Sequence, residues 1–283
     1  MFIDTHCHLN FKSYLDDHEV IISDMHKRSM RGIVVGSQKS TSIRAVELAR
    51  AHPGTLYASV ALHPLHLHTM FVDEIEMPFQ TREEVFHPDE YRALAKETCV
   101  VAIGECGLDY YRLPDHISES DFKKKQRQVF SEHIELARSL DLPVIVHTRA
   151  NPQNYRDAYE DVYAILAEHA YPNIVMHAFA TFPNLAKKFL DAGYMISFSG
   201  LVTYPEFPVL PELVRFVPLD RMMLETDAPY MTPQKKRGER NVPQNVELVA
   251  QAIASYKSIP LAEVQRVATE NSEKFFKLKT VAA

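Results

Sequence analysis

His6 and His8 flank Cys7 in the opening run Met1-Phe2-Ile3-Asp4-Thr5-His6-Cys7-His8. Alternate side chains of a strand share a face, so the two imidazoles point together, with β-carbons about 6 to 7 Å apart after two rises of roughly 3.3 Å. Two rings so placed can converge on one ion. A polar strand with incidental histidines explains the pair almost as well, so the question is whether other residues supply ligands in matching places. Four do, each closing a short apolar run. Glu105 follows Val101-Ala102-Ile103-Gly104, His147 follows Val144-Ile145-Val146, His177 follows Ile174-Val175-Met176, and Asp227 closes Met223-Leu224-Glu225-Thr226. Singly, such residues are more often turn formers, helix caps or hydrogen-bonded strand exits than ligands. Their recurrence at one kind of position is what points to metal.

Four imidazoles and two carboxylates suit borderline divalent ions such as Zn²⁺ or Mn²⁺, whereas Mg²⁺ prefers an all-oxygen set. Six protein ligands exceed the need of one tetrahedral ion, and a carboxylate such as Glu105 can bridge. One or two divalent ions (Zn, Mg or Mn) are therefore expected. A pair about 3.5 to 4 Å apart would activate water and clamp a scissile phosphoryl or carbonyl oxygen. Asp227 is the natural general base for that water, and Glu105 joins it as the second catalytic carboxylate.

The elements that must position these groups follow from periodicity. Eight candidate strands run Phe2 to His8, Gly32 to Gly36, Leu56 to Leu62, Val100 to Glu105, Pro143 to His147, Asn173 to His177, Tyr194 to Ser199 and Met222 to Asp227. Amphipathic segments separate them, the clearest being Lys123 to Leu140, where Phe130, Ile134, Ala137 and Leu140 fall on one helical face. Val246, Val249, Ala250, Ile253 and Ala254 repeat the pattern, as does Leu261 to Phe276 through Val264, Val267, Ala268 and Phe275. Such alternation over about 250 residues predicts an α/β fold, a (β/α)8 TIM barrel, as a single domain over residues 1–283. An open doubly wound sheet is the competitor, but no Gly-rich phosphate loop follows the first strand and Gly totals 8. In a barrel the C-terminal strand ends form one rim, so all six ligands meet there.

Composition sets limits. Among 283 residues, 31 Lys+Arg against 37 Asp+Glu give a formal charge of −6, which excludes coating nucleic acid by bulk attraction. Three cysteines, Cys7, Cys99 and Cys106, contain no Cys-x-x-Cys pair, in keeping with a reduced, cytoplasmic chain. No apolar run approaches the roughly 18 residues of a membrane span, so neither signal peptide nor anchor is expected. No coiled-coil pattern is present, and a monomer is expected.

Several stretches together carry a resemblance. Asp4-Thr5-His6-Cys7-His8, Gly104-Glu105-Cys106-Gly107-Leu108-Asp109-Tyr110-Tyr111, Leu142-Pro143-Val144-Ile145-Val146-His147-Thr148-Arg149 and Leu224-Glu225-Thr226-Asp227-Ala228-Pro229-Tyr230 resemble the TatD family of metal-dependent deoxyribonucleases. Arg237-Gly238-Glu239-Arg240-Asn241-Val242-Pro243 and Thr269-Glu270-Asn271-Ser272 match as well. The resemblance implies an amidohydrolase-like barrel, metal bound through His6, His8, Glu105, His147, His177 and Asp227, and hydrolysis of phosphodiester bonds in DNA, often from an end. Two departures stand out. His177-Ala178-Phe179-Ala180-Thr181 lacks the glycine usual after that ligand, and residues 64–92 read as an extended loop insertion, longer than the family's connection. A long loop is commonly functional or mobile, though a surface insertion without a role is an equal reading. Its His66, His68 and His87 are not taken as ligands, because nothing fixes them to the rim.

Arg112 and Arg149 could meet phosphate through planar guanidinium forks. Arg237 and Arg240, with Lys235 and Lys236, form a local cationic patch, and His63 belongs on the rim; His63, Arg112, Arg149, Arg237 and Arg240 are the substrate-binding candidates. Tyr110 and Tyr111 could stack on a base or simply pack the loop. A net charge of −6 favours gripping a few phosphates, hence single-stranded or frayed DNA ends. Rival readings are another hydrolase on the same scaffold (deaminase, lactonase or aminoacyl-ester hydrolase) and a non-catalytic metal-binding protein.

Overall fold

Strands covered on both faces read as near-continuous apolar runs, and the eight runs of the sequence all become such strands. The computed structural model describes residues 1–72 and 79–278. The chain runs β1 (Ile3–Cys7), α1 (His18–Lys27), β2 (Arg31–Val35), α2 (Lys39–Ala51) and β3 (Leu56–Val60). A two-stranded antiparallel ribbon, β4 (Phe71–Val72) and β5 (Phe79–Gln80), and α3 (Pro88–Ala95) come next. Then follow β6 (Val100–Asp109), α4 (Glu119–Leu140), β7 (Val144–Arg149), α5 (Asp157–His169), β8 (Ile174–Met176), α6 (Pro183–Asp191), β9 (Met195–Phe198), α7 (Leu210–Phe216), β10 (Met222–Leu224), α8 (Val246–Lys257) and α9 (Leu261–Phe275). The large sheet has the order β1-β2-β3-β6-β7-β8-β9-β10, parallel at every pairing. It is a TIM barrel in a single domain.

The barrel is nearly closed, and its seam runs through the candidate site. A bridge joins Cys7 to Ala228; across it the His8 N–H donates to the Ala228 carbonyl at 2.7 Å and the Asp227 N–H to the His6 carbonyl at 2.8 Å. The buried Asp4 carboxylate adds a staple, accepting from the Thr226 N–H at 2.9 Å and the Thr226 hydroxyl at 2.6 Å. First and last strands are thereby fixed in register beside the residues that matter.

Two apolar cores flank the sheet. The inner one takes residues from all eight barrel strands, among them Ile3, Ile33, Tyr57, Val101, Ile145, Val175, Met195 and Met223, and is closed below by Phe276 and Leu278. The larger outer core packs helices on the strands and contains Cys7, which faces away from His6 and His8. Register explains how β1 does both. Asp4 pairs with Gly32 and Cys7 with Val34, three residues against two, a bulge that re-aims the strand. Ile3 therefore points inward at the bottom, and His6 and His8 point inward at the top.

Residues 64–92 contain a 3-10 turn (Pro64–Leu67), the ribbon and the start of α3; residues 73–78, within this segment and including the Met77-Pro78 stretch, lie outside the described residues. The segment is tied down by Thr81, whose hydroxyl donates to the His68 carbonyl at 2.6 Å, and by Lys125 of α4, whose Nζ donates to the Leu67 carbonyl at 2.7 Å. Among the described residues, no helix is long and apolar enough to cross a membrane.

Candidate metal centre

His6 Nε2 lies 3.2 Å from His8 Nε2, 3.3 Å from Glu105 Oε2 and 3.5 Å from Asp227 Oδ1, and His8 Nε2 lies 3.2 Å from the same Asp227 oxygen. Ligand atoms about 2.1 Å from one tetrahedral ion stand roughly 3.4 Å apart, so these contacts have the edge lengths of a coordination polyhedron. Three overlapping groups form: His6, His8 and Asp227; His6, Glu105 and His177; and His63, Glu105 and His147. All six residues expected as ligands fall within them. His6 and Glu105 are each shared by two groups.

The far side of each ring tests whether the donors suit a metal. A ligating imidazole turns one lone pair to the ion and anchors its other nitrogen on a fixed partner. His8 Nδ1 lies 3.0 Å from the Val35 carbonyl, and His147 Nε2 lies 3.1 Å from Asp109 Oδ2 while its Nδ1 is 2.7 Å from Glu105 Oε1. His177 Nε2 is 3.3 Å from Glu105 Oε1, and its Nδ1 pairs with Glu225 Oε1 at 2.8 Å, a short ionic approach without good hydrogen-bond alignment. The Glu225 oxygen also accepts the Ala178 N–H at 2.7 Å. Among the described residues of the three groups, the His6 Nδ1 is buried without any partner. Inner nitrogens aimed at shared carboxylates, with the outer nitrogens of His8, His147 and His177 anchored, fit a divalent metal centre.

Asp109 and Glu225 were not among the residues picked from the sequence. Both are buried carboxylates, and both sit at even spacing from a picked ligand, four residues after Glu105 and two before Asp227. Strand alternation places Glu225 on the same inward face as Asp227, which is the signal that identifies it. Asp109 was hidden because β6 does not end at Glu105: it continues to Asp109, paired with Arg149 of β7. Two glycines make this path possible. At Gly104 (φ 155°) a β-carbon would meet the Ile145 β-carbon at 2.6 Å, and at Gly107 (φ 144°) it would meet the His147 carbonyl oxygen at 2.1 Å. Only a residue without a side chain fits there, and Glu105 is carried between them.

Electrostatics follow from the crowding. Burial opposes ionisation of Glu105, yet His63, His177 and His6 hold its carboxyl well below the usual range. Burial likewise opposes Asp227, outweighed by the hydrogen bond from His8 and the charges of His177 and His6. Burial disfavours charge on His147 and His177, but Asp109 and Glu105 raise the former to about 9, and Glu225 and Glu105 raise the latter to about 10. Without metal, protons on these two rings neutralise the carboxylates. Burial and the neighbouring His177 lower His6, keeping that ring neutral.

The substrate-binding candidates divide. His63 comes closer than a rim contact, with Nε2 3.4 Å from Glu105 Oε1 and its ring 4.3 Å from that of His147, so it is a candidate ligand. Arg149 and Arg112 flank the Tyr111 ring, their guanidinium carbons 4.0 and 5.0 Å from its centre. Arg237 pairs with Glu206 and lies over Tyr204. Arg240 is committed to Asp17 and the Ser13 carbonyl and covers Tyr14, which braces its loop against the β1–α1 connection. His66 and His68 are buried but belong to no ligand group among the described residues.

This centre on this barrel has relatives. A family model described as TatD related DNase matches residues 3–277. The chain belongs to the TatD-related DNase family. It is 36% identical over 281 residues to the metal-dependent hydrolase YabD of Bacillus subtilis, covering 98% of this chain and 100% of that one. It is 34% identical to the metal-dependent hydrolase YcfH of Escherichia coli K12, covering 97% and 95%. The crystal structure of YjjV, a TatD homologue from E. coli K12, superposes with a TM-score of 0.82 at 25% identity over 98% of both chains. As a TatD-family protein, the chain is a metal-dependent hydrolase.

Proposed function

We propose that this hydrolase cleaves phosphodiester bonds in DNA, working from single-stranded or frayed ends, with His6, His8, Glu105, His147, His177 and Asp227 as metal ligands. The carrying observation is that Glu105 is common to two ligand groups and His6 to two, a donor set that would hold two divalent ions side by side. Divalent ions held there would supply Lewis acidity to a phosphate oxygen and make water a nucleophile near neutral pH.

The chain's own residues do the rest. Glu105, drawn toward the ionised form from three sides, keeps a fixed negative charge at the middle of the centre. Asp227 is ionised and pinned by its backbone bond to His6, so its carboxylate accepts the proton of the attacking water as general base. Arg149, last residue of β7 and two positions above His147, offers positive charge to a phosphate.

The deciding assay uses end-labelled single-stranded DNA with Mg²⁺, Mn²⁺ or Zn²⁺. Stepwise shortening, lost on chelation, is the expected result. Inert DNA together with turnover of a nucleoside, lactone or aminoacyl ester would replace the nuclease reading with another hydrolase.

A further inference from the structure

Exposed aromatic rings are unevenly distributed over the barrel. Among the described residues six aromatic side chains are exposed: Phe71, Tyr111, Tyr155, Phe182, Phe207 and Phe216. The first five lie on connections that leave C-terminal strand ends, the face that carries the metal centre, and only Phe216, closing α7, does not. Two of the five meet across neighbouring connections. Tyr155 (56% exposed), after β7, and Phe182 (41% exposed), after β8, have ring centres 5.0 Å apart at 50°. These strands deliver His147 and His177, and Phe182 is five residues beyond His177, within about 18 Å even fully extended.

The connections that carry the pair are braced by hydrogen bonds. Asn151 Oδ1 accepts the Gln153 N–H at 2.8 Å, Asn154 Oδ1 accepts the Arg156 N–H at 3.3 Å, and the Tyr159 hydroxyl of α5 donates to the Ala180 carbonyl at 3.2 Å, tying the two connections together. The Phe182 carbonyl accepts from Leu185 and Ala186 at the start of α6, both at 3.0 Å. Apolar rings that meet in water beside a candidate centre form a contiguous patch of the kind that marks a binding site. Arg149 and Arg112, on their shared Tyr111 ring, bring positive charge to the same side of the rim in an otherwise acidic protein. Aromatic rings beside guanidinium groups match the alternating bases and phosphates of a single strand.

We propose that Tyr155 and Phe182 form a stacking subsite for one nucleobase of a single-stranded nucleic acid whose phosphate lies at the metal centre. This rests on the phosphodiesterase reading and adds to it. Stacking of one base gives a base-bearing strand an advantage of roughly 5- to 150-fold over the same backbone without bases.

The test compares a single-stranded oligonucleotide with an oligomer of identical length whose units carry tetrahydrofuran in place of the base. Wild type should show the lower KM on the base-bearing strand, and the double variant Tyr155→Ala, Phe182→Ala should lose most of that preference. A preference kept intact by the double variant overturns the subsite while leaving the phosphodiesterase standing. A second measurement needs no turnover. The chain has no Trp, so Tyr155→Trp installs a single reporter, whose fluorescence should be quenched by an oligothymidylate and not by the tetrahydrofuran oligomer. Equal quenching by both, or by neither, overturns the proposal even if no DNA is cut.

Discussion

The same eight strands build two unlike layers of the barrel interior, and contrasting them separates what stabilises this protein from what makes it act. Near the strand starts, Ile3, Ile33, Val101, Ile145, Val175 and Met223 interdigitate as an apolar plug sealed by Phe276. A few residues further along, the inward positions become His6, His8, Glu105, His147, His177 and Asp227. The plug gains free energy by burying apolar area and tolerates any set of side chains that fills the volume. The rim buries carboxylates at the cost of desolvation, offset only by opposing charges in fixed places. One layer is selected for volume, the other for position.

The contrast is broken most sharply by single substitutions whose effects should stay within their layer. Asp227→Ala should reduce DNA cleavage by on the order of 10⁴-fold, with circular dichroism and melting showing an intact fold. Full activity in that variant would remove Asp227 from the mechanism. Ile145→Ala, in the plug directly beneath His147, should instead lower stability by about 3 kcal/mol, read from denaturant unfolding, with metal affinity close to wild type. A large loss of metal binding in Ile145→Ala would mean that the two layers are not separable.

Smaller effects sharpen the boundary. Asp109→Asn and Glu225→Gln remove the charges that anchor His147 and His177, and each should weaken metal binding by about 10- to 100-fold in calorimetric titration. Unchanged affinity in both would show that the rings are oriented by packing alone. The last effect is a pH slope peculiar to the rim. Metal must displace the protons that the metal-free protein holds on His147, up to about pH 9, and His177, up to about pH 10, so affinity should fall up to ten-fold per pH unit for each proton released as pH drops below those values. Metal-free stability has the opposite sign. Both pKa values are raised above the unfolded histidine value of about 6.5, so their contribution is fully present below that pH and lost as pH rises through about 9 and then 10. Melting of the metal-free protein across pH 6.5 to 10, beside metal titrations over the same range, checks both signs.

Much of this was legible in the chain. The eight apolar runs fixed the barrel because a parallel sheet covered on both faces demands them, and the metal-competent residues closing five of those runs marked the rim. His6, His8, Glu105, His147, His177 and Asp227 could be named as candidates from that alone, and the fold gathers them into three neighbouring groups. Asp109 could not, because the continuation of β6 depends on Gly104 and Gly107 passing close under β7, a long-range contact that local periodicity does not encode. His63 read as a substrate contact until the fold brought its ring against His147. Arg240 read as a phosphate contact, but tertiary packing gave it Asp17 as a partner.

Residue types and their spacing determined that this chain is a barrel with candidate nitrogen and oxygen ligands at its strand ends. Which ring nitrogen faces the centre, which carboxylate is shared, and which cations are committed elsewhere were decided only when distant strands met. These choices depend on distances of about 3 Å between groups as far apart in sequence as His8 and Asp227, and no local preference of the backbone acts over that separation.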